Sequence, residues 1–177
     1  PESWHSFDKT VRSSLKIDWA VFSSGNGVSF CVLRLKDLQI DPQLFFSKIK
    51  IACVGQSTSS ALFRHGISAD LIPNHFQSEG LIDSFSQYNL KNKRCWLIQA
   101  ESPRKTLRID LENKGAKIIA TPVYRTAPSG KDNSFLLNDL DQANLDWTIF
   151  ASPSAVENFH KFLPDGYWDN LEVKPKI

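Results

Sequence analysis

Short apolar runs alternate with segments of helical periodicity along most of the chain. The apolar runs predict five strands, at residues 18–24, 50–55, 70–72, 94–100 and 117–124. Between them the pattern predicts helices over 28–35, from about 56 to His65, over 79–88 and over 104–114, the last ended by a left-handed Gly115. The strands are apolar at successive positions, so both faces are expected to be buried. This order favours an α/β fold with a parallel sheet covered by helices on both sides.

The pattern changes at residues 125–134, where proline, glycine, serine and asparagine dominate. We interpret this segment as a linker that follows one α/β domain, formed by residues 1–124. Beyond it, the sequence predicts a helix over 135–140, a strand over 146–152 and a helix over 155–163. Residues 135–177 are therefore expected to form part of a second α/β domain, incomplete in this chain.

An internal repeat links the two predicted domains. The segment 18–24 (DWAVFSS) matches 146–152 (DWTIFAS) at an offset of 128 positions, and Val28 and Val156 keep the same register. Chance similarity between two buried strands is the alternative, but five identities in so short a window favour a common origin. The repeat predicts two doubly wound domains of similar topology.

Composition narrows the classes of function. The chain has 177 residues, 41% hydrophobic and 23% charged, and a formal net charge of only +2. A dedicated nucleic-acid-binding protein would carry a basic stripe, which is absent here. No apolar run reaches the length of a membrane span, and no signal peptide is visible. We therefore expect no nucleic-acid or membrane partner, and a cytoplasmic location, or the plastid stroma if a transit peptide was removed.

The cysteines and histidines do not indicate a redox or metal site. Cys31, Cys53 and Cys95 are few and odd in number, which is typical of a reducing compartment. Two of them lie in apolar strands, so we interpret them as core residues rather than reactive thiols. The four histidines are scattered without metal-ligand spacing, so no metal site is predicted.

Small polar residues follow the predicted strands, where ligands bind in open parallel sheets. Each group can expose free N–H groups and hydroxyls at a helix start, which suits anions. For any single turn, simple helix capping is the better explanation; for the whole set, capping and ligand binding can both hold. No group matches the dinucleotide fingerprint or the phosphate loop, so NAD and ATP are not supported. The candidate ligand-binding residues are Ser24, Gly25, Asn26, Ser57, Thr58, Ser59, Ser78 and Ser102.

Among the cationic side chains near these turns, Arg104 is the best candidate for binding. The pattern places it in the first turn of a helix, where the helix dipole disfavours a cation. A carboxylate of a ligand would remove that conflict. The other cations considered are solvated surface charges in the alternative interpretation: Arg64, Lys105, Arg108 and Arg125.

Taken together, these motifs resemble the uroporphyrinogen-III synthase family over essentially the whole chain. The resemblance rests on their order and spacing, since each motif alone is weak. The segments are 18–24 (DWAVFSS), 54–59 (VGQSTS), Gly66 with Pro73 and 79–81 (EGL), 123–126 (VYRT) and 150–156 (FASPSAV). The chain departs from the family at Gly25 and Gly27, where the family often has Ser-Pro-Asn-Ala, and at 101–102, where it often has a glycine.

The resemblance implies two α/β domains joined by a short two-stranded linker, with an active site in the cleft between them. It implies a cofactor-free lyase that closes hydroxymethylbilane, a linear tetrapyrrole with eight carboxylates, into uroporphyrinogen III with inversion of the last pyrrole. Tyr124 matches a tyrosine proposed as a general acid; the alternative is that it only packs the two-stranded linker. Thr58 matches a threonine at a helix start, and Ser24 and Ser152 match serines on opposite cleft walls.

Two other functions are compatible with the pattern. A non-catalytic ligand-sensing module of the same fold would keep the cleft without turnover, because fold does not fix function. A phosphosugar-binding enzyme is less well supported, because no phosphate loop is present. We expect the protein to be a monomer that binds a small molecule.

Overall fold

The computed structural model describes residues 1–13, 16–75, 78–103, 105–127 and 134–176. They divide into two compact units, Pro1–Thr126 and Ala127–Ile177. The elements of the first unit are α1 (His5–Arg12), β1 (Trp19–Phe22), α2 (Gly25–Asp37), α3 (Pro42–Phe46), β2 (Lys50–Cys53), α4 (Gln56–Phe63), α5 (Ser78–Ser84), β3 (Arg94–Ala100), α6 (Thr106–Asn113) and β4 (Lys117–Tyr124), with a 3-10 turn, Phe85–Gln87, after α5. The second unit contains α7 (Ser134–Asp141), α8 (Pro153–Phe162) and α9 (Tyr167–Asn170).

The first unit is built on a four-stranded parallel sheet in the order β2-β1-β3-β4. In the central strand β1, Val21 lies opposite Ala52 on one side and Leu97 on the other. All four residues of β1 are buried. This confirms the predicted parallel sheet and four of the five predicted strands.

Alternate residues of the strands build two separate cores. Phe22, Trp96 and Val123 face a core that α1 to α4 cover, whereas Trp19 and Leu97 face a core that α5 and α6 cover. Helices therefore protect both faces of the sheet, as the continuous apolar runs predict. Gly115 ends α6 with a φ of +85°, which confirms the predicted left-handed residue.

Several local predictions were wrong. The strand predicted at 70–72 is reduced to a single bridge between Leu71 and Ala52, because Pro73 cannot donate a ladder hydrogen bond. The helix predicted over 79–88 gives way to the 3-10 turn after Ser84. The pattern also missed the helices α1 and α3, which are short and lie outside the strand–helix alternation.

The strand predicted at 146–152 does not form. Trp147 makes one isolated parallel bridge to Lys176, and Ile149 is 89% exposed. A strand needs neighbours that accept and donate its ladder hydrogen bonds, and the described part of the second unit offers only that one bridge. The following helix, α8, forms and begins at Pro153 rather than 155.

Two carboxylates tie the first unit together. Asp8 of α1 accepts hydrogen bonds from Nε and Nη2 of Arg34 in α2, at 2.9 and 2.6 Å, and this guanidinium holds the pKa of Asp8 below its ordinary value of 3.8. Burial raises the pKa of Asp18, but the N–H of Arg94 and the ammonium of Lys93 outweigh it and leave that pKa below 3.8 as well. Both carboxylates therefore favour the folded state in their charged form.

Candidate active site

The carboxyl ends of all four parallel strands lie along one edge of the sheet. The helix that follows β1, α2, packs on one face, whereas the helix that follows β3, α6, packs on the other. The connections that leave β1 and β3 therefore run on opposite faces of the sheet, which makes the gap between these two strands a topological switch point. In open α/β sheets, ligands bind in the crevice outside the strand ends at such a switch point. A ligand is therefore expected at this edge of the sheet.

Ser24 forms the turn between β1 and α2. Its backbone is extended (φ −160°, ψ 157°), and its Oγ accepts a hydrogen bond from the N–H of Gly27 at 3.1 Å. Gly25 and Asn26 form the first turn of the helix, and their N–H groups have no acceptor among the described residues. Capping, the simpler sequence interpretation, is therefore correct for the Ser24 side chain, and the turn still presents free donors.

Strand β4 is irregular next to its end. Gln99 lies opposite Pro122, but Ala100 lies opposite Tyr124, so Val123 is an extra residue in β4. Proline lacks the N–H that a regular ladder needs, and bulges re-aim the side chains that follow them. As a result, Val123 and Tyr124 both pack against the core on the α2 side of the sheet, although strict alternation would separate them.

The re-aimed Tyr124 reaches across the end of β3 to the turn after β1. Its phenolic Oη lies 3.0 Å from Oγ of Ser24, and either oxygen can be the donor. Its ring stacks on Phe30 of α2, with centroids 5.8 Å apart and planes 14° apart. The structure therefore brings together Ser24 and Tyr124, which are 100 residues apart in the sequence. Phe30 was missed, because nothing in its spacing distinguishes it from a surface residue of α2.

Helices α2 and α4 follow the neighbouring strands β1 and β2, and the first turn of α2 packs against the later part of α4. A Cβ on Gly25 would stand 3.6 Å from Cβ of Ala61 in α4. Thr58 is buried, and its N–H is bonded to the Gly55 carbonyl at 3.1 Å, whereas Ser57 is exposed and Ser59 half-buried. Because Thr58 is buried, Ser57 is the better placed of these residues to meet a ligand.

The other residues predicted to bind a ligand lie on separate elements of the chain. Ser78 is the first residue of α5 and is half-buried. Ser102 is exposed, and the helix predicted from residue 104 begins instead at Thr106. Arg104 lies outside the described residues. Ser152 caps α8 in the second unit and is exposed.

The charged neighbours of Tyr124 are few and exposed. The Tyr124 carbonyl accepts a hydrogen bond from the N–H of Glu101 at 2.8 Å, which fixes the end of β4 against β3. Arg125 lies 3.7 Å from Glu2, and both side chains are mostly exposed, so this pair contributes little to stability. The guanidinium remains accessible to an anion from solvent.

The described residues give little support for any other kind of ligand-binding or reactive site. A cavity of about 220 Å³ in the second unit is lined mainly by apolar groups such as Phe150, Phe159 and Trp168, which do not suit a polyanion. The three cysteines are buried, and burial raises the pKa of Cys53 to about 11 and that of Cys95 to about 12, which confirms them as core residues. No three metal-binding side chains converge, and no helix has the length and apolarity to cross a bilayer, in the ranges that the structure covers.

Proteins of known family are similar to this chain in sequence. The family model HEM4, described as uroporphyrinogen-III synthase HemD, matches residues 1–175. The uroporphyrinogen-III synthase of Synechococcus elongatus is 30% identical over 162 residues, covering 90% of this chain and 60% of its own length. A putative uroporphyrinogen-III synthase of Methanothermobacter thermautotrophicus is 28% identical over 72% of this chain and 51% of its own. The chain thus spans about half to three fifths of these relatives.

Solved structures agree with the fold. A mutant uroporphyrinogen III synthase from the extremely thermophilic bacterium Thermus thermophilus superposes with a TM-score of 0.68, at 19% identity, over 98% of this chain and 69% of its own. Its wild-type form gives a TM-score of 0.63. At such low identity this likeness shows the fold alone, but the family model covers nearly every residue. The chain belongs to the uroporphyrinogen-III synthase family.

Proposed function

We propose that the protein containing this chain is a uroporphyrinogen-III synthase, a lyase that eliminates water from hydroxymethylbilane and closes it to uroporphyrinogen III. The observation that carries this proposal is the phenol of Tyr124, which the bulge in β4 directs across the switch point to Ser24. A phenol at that place can protonate a departing hydroxyl. The proposal extends to a two-domain protein, with 1–124 as the continuous domain, 125–134 as the linker and 135–177 as part of the second domain.

Carboxylates of the substrate are expected at the helix starts. The N–H groups of Gly25 and Asn26 in α2, and of Gln56 and Ser57 in α4, have no acceptor among the described residues. Two adjacent helix ends of this kind favour negative charge. We propose that they bind carboxylates, and we assign further carboxylates to residues predicted from the sequence: Ser57, Thr58, Ser59, Ser78, Ser102, Arg104 and, in the second unit, Ser152.

The elimination step needs one proton and one leaving oxygen. The O–H bond of Tyr124 breaks, its proton joins the hydroxymethyl oxygen, and the C–O bond breaks with its electrons on oxygen, so water leaves. The pyrrole nitrogen lone pair stabilises the remaining carbocation as an azafulvenium ion, while Tyr124 becomes a phenolate. After the ring closes through a spiro intermediate, loss of a proton from carbon can restore the phenol. Binding the chain in one conformation supplies most of the selectivity for the inverted ring.

The deciding experiment mixes full-length protein with freshly made hydroxymethylbilane and identifies the isomer formed. We expect type III product, whereas samples without protein or with heat-denatured protein should give the uninverted ring. A protein that binds the bilane but leaves the product ratio at the protein-free value would be a ligand-sensing module instead. A protein that neither binds nor converts the bilane would contradict both functions.

A further inference from the structure

We infer that Ser24 is a positioning residue for proton donation by Tyr124: its hydroxyl orients the phenol and stabilises the phenolate that donation leaves. This inference rests on the proposed function. It starts from a chain of two hydrogen bonds, from the N–H of Gly27 to Oγ of Ser24 at 3.1 Å, and between that Oγ and Oη of Tyr124 at 3.0 Å.

The hydrogen-bonding capacity of the serine hydroxyl gives the chain a direction. A hydroxyl has one proton to donate and two lone pairs to accept with. Gly27 occupies one lone pair of Ser24, so the serine proton is available for Oη of Tyr124. When Ser24 donates, the phenol proton is free to point at a substrate. Once Tyr124 has given its proton away, the phenolate can only accept, and donation from Ser24 is then the sole arrangement left.

The hydrogen bond is therefore stronger after proton transfer than before it. Bonds to a charged acceptor are about twice as strong as those between neutral groups. An interaction that strengthens as charge develops lowers the barrier, whereas one equally strong throughout does not. Ser24 also stands at the positive end of α2, a helix of 13 residues, which favours an anion nearby.

The rest of the phenol is fixed independently of Ser24. The ring of Phe30 lies parallel to it on one side, and the carbonyl of Tyr124 is bonded to Glu101. Ser24 is thus the contact that sets the direction of the O–H bond, while the other contacts set the ring plane. Loss of the serine hydroxyl should change the chemistry of Tyr124 without displacing its ring.

The test uses three variants of the full-length protein. Ser24→Ala removes the hydroxyl, and Ser24→Thr keeps it. Asp41→Ala removes a helix cap of the same kind, since Asp41 caps α3 by accepting from the N–H of Leu44 at 2.8 Å, whereas the Tyr124 side chain bonds to Ser24 and stacks on Phe30. We expect Ser24→Ala to lower kcat about 10- to 100-fold with little change in KM. Ser24→Thr and Asp41→Ala should keep kcat within about threefold.

Nuclear magnetic resonance detects the contact between Ser24 and Tyr124 without substrate turnover. The chain has three tyrosines, so ring-labelled Tyr124 can be assigned from the signal that Tyr124→Phe removes. We expect Ser24→Ala to shift the Tyr124 Cζ signal, and Ser24→Thr and Asp41→Ala to leave it in place. An active wild type in which Ser24→Ala keeps full kcat, or leaves the Tyr124 signal unmoved, would overturn this inference alone. A wild type that makes no type III product would overturn the proposed function first, and the catalytic role of Ser24 with it.

Discussion

The two copies of the repeated segment have nearly the same letters and different structures. Residues 18–24 contain β1, the buried centre of a parallel sheet. Residues 146–152 contain no strand, and the only pairing there is the bridge from Trp147 to Lys176. The turns that follow are nonetheless alike: Ser24 and Ser152 have φ of −160° and −161°, ψ of 157° and 155°, and each caps the helix after it. A cap is a local interaction that a few residues determine, whereas a strand depends on partners far along the chain.

The two turns differ most in the side chains that they contact. Tyr124→Phe is the substitution expected to have the largest effect on that difference. Only the Ser24 turn touches a phenol; Ser152 bonds to Ser154 instead. In the full-length enzyme, Tyr124→Phe should lower the rate of type III formation about 10²–10⁴-fold, the usual contribution of one general acid. Its unfolding midpoint in urea should stay close to that of the parent. Full turnover with full type III yield would mean that Tyr124 serves packing only.

A pair of tryptophan substitutions measures how much the strand depends on its neighbours. Trp19 is 3% exposed and contacts the rings of Phe85 and Tyr88, whereas Trp147 is 61% exposed and has the ammonium of Lys176 5.1 Å from its ring centroid. In the 177-residue chain, Trp19→Ala should cost about 3–5 kcal/mol of unfolding free energy. Trp147→Ala should cost less than about 1 kcal/mol. Urea denaturation followed by circular dichroism gives both values, and equal losses would show that Trp147 is buried.

Acid should affect the first unit more than the second. The salt bridges between described side chains all lie in the first unit, and the folded state holds the pKa values of Asp8 and Asp18 below 3.8. A lowered carboxyl pKa contributes stability that is complete above the ordinary value and is lost as the pH falls through the folded one. Asp8→Asn should lower the free energy of unfolding at neutral pH and flatten its decrease with falling pH below the ordinary carboxyl pKa of 3.8. Arg34→Gln should flatten the acid decrease of the free energy of unfolding equally. An unchanged slope of that free energy against pH in both variants would contradict this linkage.

The smallest expected effect concerns the tyrosine of the second unit. Its hydroxyl donates to Oδ1 of Asp141 at 2.5 Å, and this hydrogen bond raises the pKa of Tyr167 to about 12 from its ordinary 10.0. The raised pKa favours the folded state at lower pH, and the contribution is lost as the pH rises through about 12. Asp141→Asn should return the Tyr167 titration, followed by phenolate absorbance, towards 10.0. A titration that does not move would show that Asp141 is not the cause.

The sheet could be predicted from the sequence because its signal is local. The predicted bounds 94–100 and 117–124 are those of β3 and β4, since a buried strand between helices has a distinctive apolar run. The strand predicted at 146–152 does not form, because an apolar run in the sequence carries no information about the strands with which it must pair. The meeting of Ser24 with Tyr124 lay beyond such reasoning, as it depends on a one-residue bulge. Pro122 inside a strand was the available signal for that bulge.

The order of the strands along the chain also determines how long β1 remains without its pairing strands during synthesis. Strand β1 is made before the other three strands; its partner β2 follows about 30 residues later, and its other partner, β3, about 75 residues later. At ribosomal rates of about 5–20 residues per second, one edge of β1 waits roughly 4–15 s for β3. Through that interval Trp19 and Val21 lack the cover that the α5 and α6 side of the sheet later provides. Co-translational chaperones should therefore bind this chain longest while residues 19–22 are outside the ribosome and residues 94–100 are not.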